Sequence, residues 1–250
     1  MRPAAAIVAT VVIIIAVSAG LTQHKGRTPT GSPVTGVVAL VRTTAPQSDP
    51  FQGQFCAGIL VRVSSVLTAA HCVTSLSPRD VVALVDGDNL CSGAPIEGTF
   101  VPVVAVSIDP GYDAAVGVHD LAVLTLAEGA RSTPLEIGPG GAPGPATAYG
   151  WGRGPGGAPS CTLQRIQLEV PSQAECPSLF KDSSRPFVPD SMICALGDDG
   201  GNTCQGDSGG PLIAGIDDSA AKVIGVVSWG LGCTGPGVYA RAMGVPIGST

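Results

Sequence analysis

Charged residues are scarce in this sequence, and no cluster of basic residues stands out. They make up 13% of the 250 residues, and the formal net charge is −6. A protein that binds nucleic acid or an anionic membrane surface needs a concentration of Lys and Arg that this chain lacks. We therefore expect no nucleic acid among its partners. Only three of the thirteen basic residues are lysine, which together with abundant Ala and Gly suggests a GC-rich bacterial genome.

Long helical patterns are also missing, since no segment repeats its apolar residues convincingly every 3.6 positions. An apolar fraction of 44% argues against disorder. Short runs rich in Val, Leu and Thr, bounded by Gly, Pro and Asp, predict strands. They occur at 37–42, 58–70, 81–85, 99–108 and 121–127, and again at 163–170, 191–196, 211–215, 222–230 and 237–242. A Gly- and Pro-rich stretch at 138–150 is predicted to be a linker between the two sets, which indicates an all-β chain in two halves.

The N-terminus carries the longest apolar run of the chain. Arg2 precedes the run at 4–17, and small residues follow it at a plausible cleavage site. This pattern predicts a signal peptide at 1–20, although the run is nearly long enough for an uncleaved membrane anchor. The polar stretch 21–36 is predicted to be a linker or pro-region. We expect a secreted protein or, alternatively, a membrane-tethered one with its main domain outside.

Eight cysteines agree with an exported protein. An even number of cysteines in such a chain predicts four disulfides, and no C-x-x-C pair suggests a zinc site. The positions are Cys56, Cys72, Cys91, Cys161, Cys176, Cys194, Cys204 and Cys233. Eight cysteines allow about 105 pairings, so the number of cysteines alone leaves the pattern open.

A candidate nucleophile, Ser208, lies in the glycine-rich stretch "GNTCQGDSGGPLI". A serine hydroxyl is a weak nucleophile without an adjacent base, which is most often a histidine. Of the three histidines, His24 lies in the predicted linker, and His119 directly precedes an acid, so the two side chains would face opposite sides of a strand. His71 ends an apolar strand and is the better candidate. Asp120, at the start of another apolar strand, is the candidate carboxylate that orients its ring.

Three motifs, "LTAAHC", "DLAVLTL" and "CQGDSGGPL", contain these residues in the order His–Asp–Ser. In that order they resemble the trypsin/chymotrypsin family of serine endopeptidases. The resemblance implies two packed six-stranded antiparallel Greek-key β-barrels with the active site between them. The peptidase domain would span 37–250, with the first barrel at about 37–137 and the second at about 145–250.

The resemblance also implies the role of each candidate residue. Ser208 would attack the substrate carbonyl and form an acyl-enzyme, His71 would act as general base and acid, and Asp120 would orient His71. The backbone N–H groups of Gly206 and Ser208 would form the oxyanion hole. The expected partners are polypeptide substrates and protein inhibitors, and we expect a monomer. Two alternatives remain open: a catalytically silent domain that acts as a binding module, and a serine esterase.

The substrate-binding residues implied by the resemblance are Asn202, Thr203, Ser228, Trp229, Gly230 and Gly237. Asn202 would lie at the base of the primary pocket, and it is neutral. A buried P1 cation would find no counter-charge there, which predicts a preference for Phe, Tyr, Leu or Met over Arg and Lys. Because the Asn202 amide can both donate and accept hydrogen bonds, a tyrosyl hydroxyl or a long polar P1 side chain is a further expected ligand. Asp198 or Asp199, just upstream, could restore basic specificity if either leans into the pocket.

Asp207 departs from the family pattern. In most relatives a newly cut N-terminus inserts its ammonium against this aspartate, but no matching Val-Gly-Gly sequence occurs in 21–40. The substitute would be an amine exposed by a cut after Arg27, for example, or a fixed basic side chain. A second departure is the C-terminus, which is too short and too rich in Gly and Pro for the family's terminal helix.

The resemblance pairs Cys56 with Cys72, Cys176 with Cys194 and Cys204 with Cys233. Cys91 and Cys161 are the remaining two. We expect no cofactor and no metal: the acidic loop "DGDN" at 86–89 is predicted to be a turn rather than a calcium site.

Overall fold

The computed structural model describes residues 27–29, 35–93, 96–154, 156–197, 201–215 and 222–243. The signal peptide or membrane anchor predicted at 1–20 lies outside these residues, and so do Asp198, Asp199 and most of the predicted linker. Among the described residues, no helix has the length and apolar character needed to cross a membrane.

Strands account for nearly all of the regular structure. In chain order the described elements are β1 (Thr28–Pro29), β2 (Val37–Arg42), β3 (Gln54–Arg62), β4 (Ser65–Thr68), α1 (Ala70–Val73), β5 (Val81–Val85), β6 (Thr99–Ile108), β7 (Ala122–Leu126), β8 (Glu136–Ile137), β9 (Gly144–Gly150), β10 (Gln164–Val170), α2 (Cys176–Leu179), β11 (Met192–Ala195), β12 (Pro211–Ala214), β13 (Lys222–Gly230) and β14 (Gly237–Arg241). Two 3-10 turns lie at Pro50–Gln52 and Pro78–Asp80. The predicted all-β class is confirmed.

The first half forms a closed antiparallel barrel in the order β2-β3-β4-β7-β6-β5. Its strands consist largely of Val, Leu, Ile and Ala, and β5 is buried along its whole length. Such continuous burial is expected where a barrel wall faces its own core on one side and a second layer on the other. The closed barrel places β4 and β7 side by side, and this pairing brings the ends that carry the candidate His and Asp close together.

The second half forms a curled eight-stranded sheet rather than a sheet of six. Six strands follow the order β10-β9-β12-β13-β14-β11, and a single bridge between Glu169 and Leu196 joins the two ends of this curl. The two extra strands are only two residues long: β1 pairs with β10, and β8 pairs in parallel with β13. Residues 136–137, at the end of the range expected for the first barrel, therefore pair with the second sheet.

The two halves share a buried interface. Trp151 is fully buried, and its indole Nε1 donates a hydrogen bond to the backbone carbonyl of Asp88 in the first half. Trp151 and Tyr149 belong to the same apolar cluster as the first barrel's core. This shared core fixes the position of the second sheet against the first, which an active site built from both halves requires.

Four disulfides are present: Cys56–Cys72, Cys176–Cys194 and Cys204–Cys233, which the family resemblance implies, and Cys91–Cys161, the remaining two cysteines. Cys91–Cys161 connects the two halves across 70 residues of sequence. In the chain-entropy model a loop of that length is worth about 4 kcal/mol of stability.

The loop at 86–89 is held by protein contacts. Asp86 accepts a hydrogen bond of 2.7 Å from the Ser132 hydroxyl, and Asn89 Oδ1 accepts one from the Cys91 N–H. The backbone carbonyl of Asp88 accepts from both Trp151 and Leu163. These contacts give the acidic loop a structural role at the interface between the halves.

Candidate active site

His71 lies in α1, the single turn that follows β4. The disulfide from Cys72 to Cys56 ties this turn to β3, and Ala70 and Cys72 on either side are buried. The His71 side chain is 36% exposed. The fold therefore anchors the backbone of His71 firmly while leaving its ring accessible from the cleft.

Asp120 is the carboxylate that holds His71. It lies two residues before β7, and its side chain is only 4% exposed. Oδ2 of Asp120 is 2.7 Å from Nδ1 of His71, and Oδ1 accepts a hydrogen bond of 2.8 Å from the His71 backbone N–H. Because both carboxylate oxygens contact the same residue, the ring and its backbone are fixed together.

A third hydrogen bond to Asp120 comes from the second half of the molecule. The Ser228 hydroxyl, on β13, donates to Oδ2 of Asp120 at 2.5 Å. Burial raises the pKa of Asp120, but the hydrogen bonds from His71 and Ser228 outweigh it, so the pKa lies below its ordinary value. Asp120 is therefore a charged, fully engaged carboxylate. Ser228, predicted as a substrate-binding residue, directs its hydroxyl to Asp120.

His119 does not share this arrangement. Its backbone has φ = 50°, and its ring is directed toward Asp109, with Nδ1 4.0 Å from a carboxylate oxygen. His24 lies outside the described residues. Of the two described histidines, His71 alone contacts Asp120.

Ser208 lies in the tight turn that docks the second sheet on the first barrel. Its backbone carbonyl accepts a hydrogen bond of 2.7 Å from the N–H of Ala57 in β3. Gly209 follows with φ = +84°, and a Cβ there would lie 2.2 Å from the Thr68 hydroxyl oxygen. Only glycine fits this position, because its backbone is left-handed and its surroundings leave no room for a side chain.

The Ser208 turn approaches His71 through the Cys72 sulfur. Sγ of Cys72 is 3.8 Å from Nε2 of His71 and also 3.8 Å from the Ser208 carbonyl oxygen. Among the described residues, no hydrogen bond joins the Ser208 hydroxyl to the His71 ring. In ligand-free enzymes such contacts are often long and tighten when substrate binds.

Two backbone N–H groups in the Ser208 turn have no hydrogen-bond acceptor among the described residues. Within the described part of the turn, the N–H groups of Gly206 and Ser208 donate to no protein atom, whereas those of Asp207, Gly209 and Gly210 donate to backbone carbonyls. Gly206 has φ = +97°, a conformation that glycine adopts without strain. Free N–H donors in a rigid turn are the arrangement that stabilises an oxyanion.

A cavity of about 300 Å³ opens next to Ser208. Its described lining consists of Thr203, Cys204, Gln205, Ser208, Val227, Ser228, Trp229, Gly230, Gly232 and Cys233, none of which carries a charge. The Trp229 ring is partly exposed and packs edge-to-face on Phe180, with 5.2 Å between ring centroids. The described part of the lining is therefore neutral and has one aromatic wall.

Asn202 and Gly237 lie behind this wall rather than on it. Asn202 is 2% exposed, and a Cβ on Gly237 would lie 2.8 Å from its Oδ1. The Asn202 amide donates to the carbonyls of Ala195 and Gly235, and its oxygen accepts from Thr203 and Tyr239. The amide thus has no capacity left for a polar P1 group, contrary to our expectation. Thr203, itself only 8% exposed, is the neutral residue that lines the cavity at that end.

The partner of Asp207 is the residue that sequence reasoning identified least well. Asp207 is fully buried, and the Arg27 guanidinium forms a two-point ion pair with it at 2.6 and 2.8 Å. Burial raises the pKa of Asp207, whereas Arg27 and the N–H groups of Cys204 and Gly152 oppose that shift. The sequence offered one clue to this partner: few basic residues precede β2, and Arg27 is one of them.

Comparison with known proteins gives the family. A family model described as Trypsin matches residues 24–245. The chain belongs to the trypsin family. It is 37% identical over 202 residues to a trypsin of Saccharopolyspora erythraea, covering 75% of this chain and 82% of the relative. It is also 34% identical over 200 residues to trypsin iota of Drosophila melanogaster, covering 74% of this chain and 73% of the relative.

A solved structure supports the same assignment. The Vibrio cholerae VesB protease superposes with a TM-score of 0.71 at 26% sequence identity. The match covers 88% of this chain and 64% of that protein, so this chain spans less than two thirds of its length. These three proteins are named as trypsins or as a protease. This trypsin-family chain is therefore a serine endopeptidase that acts on polypeptides, and its four disulfides indicate an extracellular protein.

Proposed function

We propose that His71, Asp120 and Ser208 form the catalytic triad of this endopeptidase. The single observation that carries the proposal is the double contact of Asp120 with the ring and backbone of His71, deep in the interface between the halves. This contact assigns the proton on the ring to Nδ1, since the carboxylate accepts it. Nε2 is then left as the basic nitrogen on the cleft side of the ring.

The reaction follows from that tautomer. Nε2 of His71 takes the proton of the Ser208 hydroxyl as its oxygen attacks the substrate carbonyl, and the tetrahedral intermediate carries its negative charge on the former carbonyl oxygen. His71 then gives the proton to the leaving amine, and the acyl group remains on Ser208. Water then attacks the acyl carbon as His71 removes its proton, which forms a second tetrahedral intermediate. This intermediate collapses as the bond to the Ser208 oxygen breaks and His71 returns the proton to that oxygen, so the free acid and Ser208 are released. Asp120 stays ionised throughout and stabilises the imidazolium that forms twice.

The free N–H groups of Gly206 and Ser208 stabilise the oxyanion at both tetrahedral stages. They are part of a turn fixed by hydrogen bonds at Asp207, Gly209 and Gly210, so little reorganisation is needed when the charge develops. Removal of one such donor costs about 10²–10³ in kcat in a well-studied protease.

The neutral cavity supports a preference for large uncharged P1 side chains. Its volume of about 300 Å³ fits an aromatic or long aliphatic group, and Gly230 adds no side chain to its wall. Tyr239, whose pKa burial raises, stays a neutral phenol behind Thr203. Phe, Tyr, Leu and Met are the expected P1 residues.

The wider assignment is also a proposal. The peptidase domain spans 37–250, follows a linker or pro-region at 21–36, and is secreted after cleavage of 1–20 or tethered by it. It acts as a monomer and binds protein inhibitors in the same cleft as its substrates. The disulfide-rich fold supports the exported location.

Replacement of Ser208 tests the proposal. Ser208→Ala should fold normally and lose peptidase activity by about 10⁶ in kcat, as in the subtilisin triad. The measurement is hydrolysis of a set of peptides with varied P1 residues, with intrinsic fluorescence and circular dichroism as folding controls. Ester hydrolysis is no substitute, because serine peptidases and esterases share it. Residual peptidase activity within tenfold of the parent rules out Ser208 as nucleophile.

A further inference from the structure

The Asp207 carboxylate sits in a cradle without spare room. Oδ1 accepts hydrogen bonds from the Gly152 N–H at 2.7 Å and from Arg27, and Oδ2 accepts from the Cys204 N–H at 2.8 Å and again from Arg27. A Cβ on Gly152 would lie 2.6 Å from the Asp207 carboxyl carbon. The site is thus shaped around this one ion pair, and Arg27 is its cation.

Arg27 is fixed by the strand that follows it. Thr28 and Pro29 form β1, which pairs with Arg165 and Gln164 at the edge of β10. From there the Arg27 side chain crosses into the interior, where it is only 5% exposed. A planar guanidinium bound at two points is held in a defined orientation, which a single ammonium contact does not achieve.

The Arg27 guanidinium is also linked to the oxyanion hole by a short path of hydrogen bonds. It donates to the Arg153 carbonyl at 3.0 Å, and the Arg153 N–H donates to the Gln205 carbonyl at 2.9 Å. The Gln205 carbonyl and the Gly206 N–H belong to one planar trans peptide, so they point in opposite directions. Holding the Gln205 carbonyl against Arg153 turns the Gly206 N–H away from Arg153.

Arg27 therefore acts at two points on the segment 205–208, which carries both oxyanion donors. At one end it neutralises Asp207, which lies between the two oxyanion donors, Gly206 and Ser208. At the other end it fixes the carbonyl of Arg153, whose own N–H orients the Gln205–Gly206 peptide. Without the guanidinium, a buried carboxylate would be left unpaired. The turn would have to rearrange or take up a proton to relieve that charge.

We propose that Arg27 is a positioning residue: it holds the Gly206 and Ser208 N–H groups in the geometry of an oxyanion hole. It does so while the peptide bond between Arg27 and Thr28 is intact. The inference rests on the proposed function of Ser208 as nucleophile. Activity then requires no new amino terminus in the Asp207 pocket. Cuts upstream of Arg27 leave activity unchanged. A cut between Arg27 and Thr28 frees Arg27 from β1 and removes activity rather than creating it.

The first test compares the full chain with Arg27→Gln, Arg27→Lys and Arg131→Gln. Arg131 is an exposed arginine, so its variant controls for the loss of one positive charge. Arg27→Gln should lower kcat by about 10² or more, the effect of a lost oxyanion donor, while KM stays within about threefold. Arg27→Lys should recover part of kcat, because it restores the charge but not the two-point contact. Arg131→Gln should match the parent.

The second test determines the amino terminus of the active species by intact mass and N-terminal sequencing. We expect active protein in which Arg27 remains joined to Thr28. Protein that is inactive with this bond intact and becomes active once it is cut would overturn the proposal. This result does not depend on the folding of any variant, so it decides the matter even if Arg27→Gln fails to fold.

The outcomes separate this inference from the proposed function. A parent that hydrolyses no peptide, or a Ser208→Ala variant that is as active as the parent, contradicts the proposed function. An active, Ser208-dependent parent with an equally active Arg27→Gln variant contradicts only the role of Arg27. Equal losses of kcat in Arg27→Gln and Arg27→Lys would also contradict it, because the charge would then make no difference.

Discussion

A substrate with arginine at the P1 position tests whether the cavity beside Ser208 discriminates against a positive charge. No charged residue is among those that line the described cavity beside Ser208. Asn202, behind the wall, has its amide engaged on both sides, so it offers neither charge nor a free acceptor. A guanidinium that enters this space gives up water without gaining a counter-charge.

The expected discrimination follows from that desolvation. An ion moved into a protein interior without a partner costs several kcal/mol, and about 3 kcal/mol is a moderate figure for a cavity that opens to solvent. Since about 1.4 kcal/mol corresponds to a factor of ten, kcat/KM for Phe or Leu should exceed that for Arg by about 10².

The assay is a series of peptides that differ only at P1, cleaved by purified enzyme under second-order conditions. Thr203→Asp places a carboxylate in the lining of the cavity and should raise kcat/KM for Arg relative to Phe by at least about tenfold. Thr203→Asn is the matched neutral control and should leave the ratio unchanged. A parent enzyme that cleaves after Arg faster than after Phe and Leu refutes the reasoning. In that case the variant Asp198→Asn with Asp199→Asn shows whether those residues supply the charge.

Two further predictions concern the triad and the disulfides. Asp120→Asn should lower kcat by about 10⁴, because an amide at this position favours the wrong tautomer of His71; steady-state kinetics near neutral pH measure it, and a loss under tenfold would contradict the assigned role. Thiol titration of the native protein in denaturant should find no free cysteine, since all eight are paired. Two or more reactive thiols would disprove the four-disulfide arrangement.

Local patterns made most of the fold predictable. The Val- and Leu-rich runs between turn residues form strands in the structure. They were predictable because the apolar pattern of a buried strand is contained in a few consecutive residues. The triad candidates were equally visible, since His71, Asp120 and Ser208 each lie in a short distinctive motif. The two-residue strands β1 and β8 could not be predicted, because segments so short carry no periodic pattern. The prediction of a linker over all of 138–150 was wrong, because β9 (Gly144–Gly150) lies within that stretch and pairs with β10 and β12 despite its Gly and Pro content.

Long-range contacts account for what the sequence left open. Arg27 and Asp207 lie 180 residues apart, and nothing in the sequence near either residue specifies the other. Asn202 was expected at the pocket base, but the structure buries its amide among Ala195, Gly235 and Tyr239. Both cases depend on which backbone and side-chain groups the folded chain brings together, which only the three-dimensional arrangement determines.

The most direct measurement of the central claim is the site of covalent modification by a peptide phosphonate with Phe at P1. Such a reagent reacts with an activated serine and leaves a stable adduct that mass spectrometry can locate. We predict one adduct per molecule, on Ser208, formed in step with the loss of peptidase activity and absent from His71→Ala. An enzyme that keeps its activity after modification of Ser208, or loses it through an adduct elsewhere, would contradict the account.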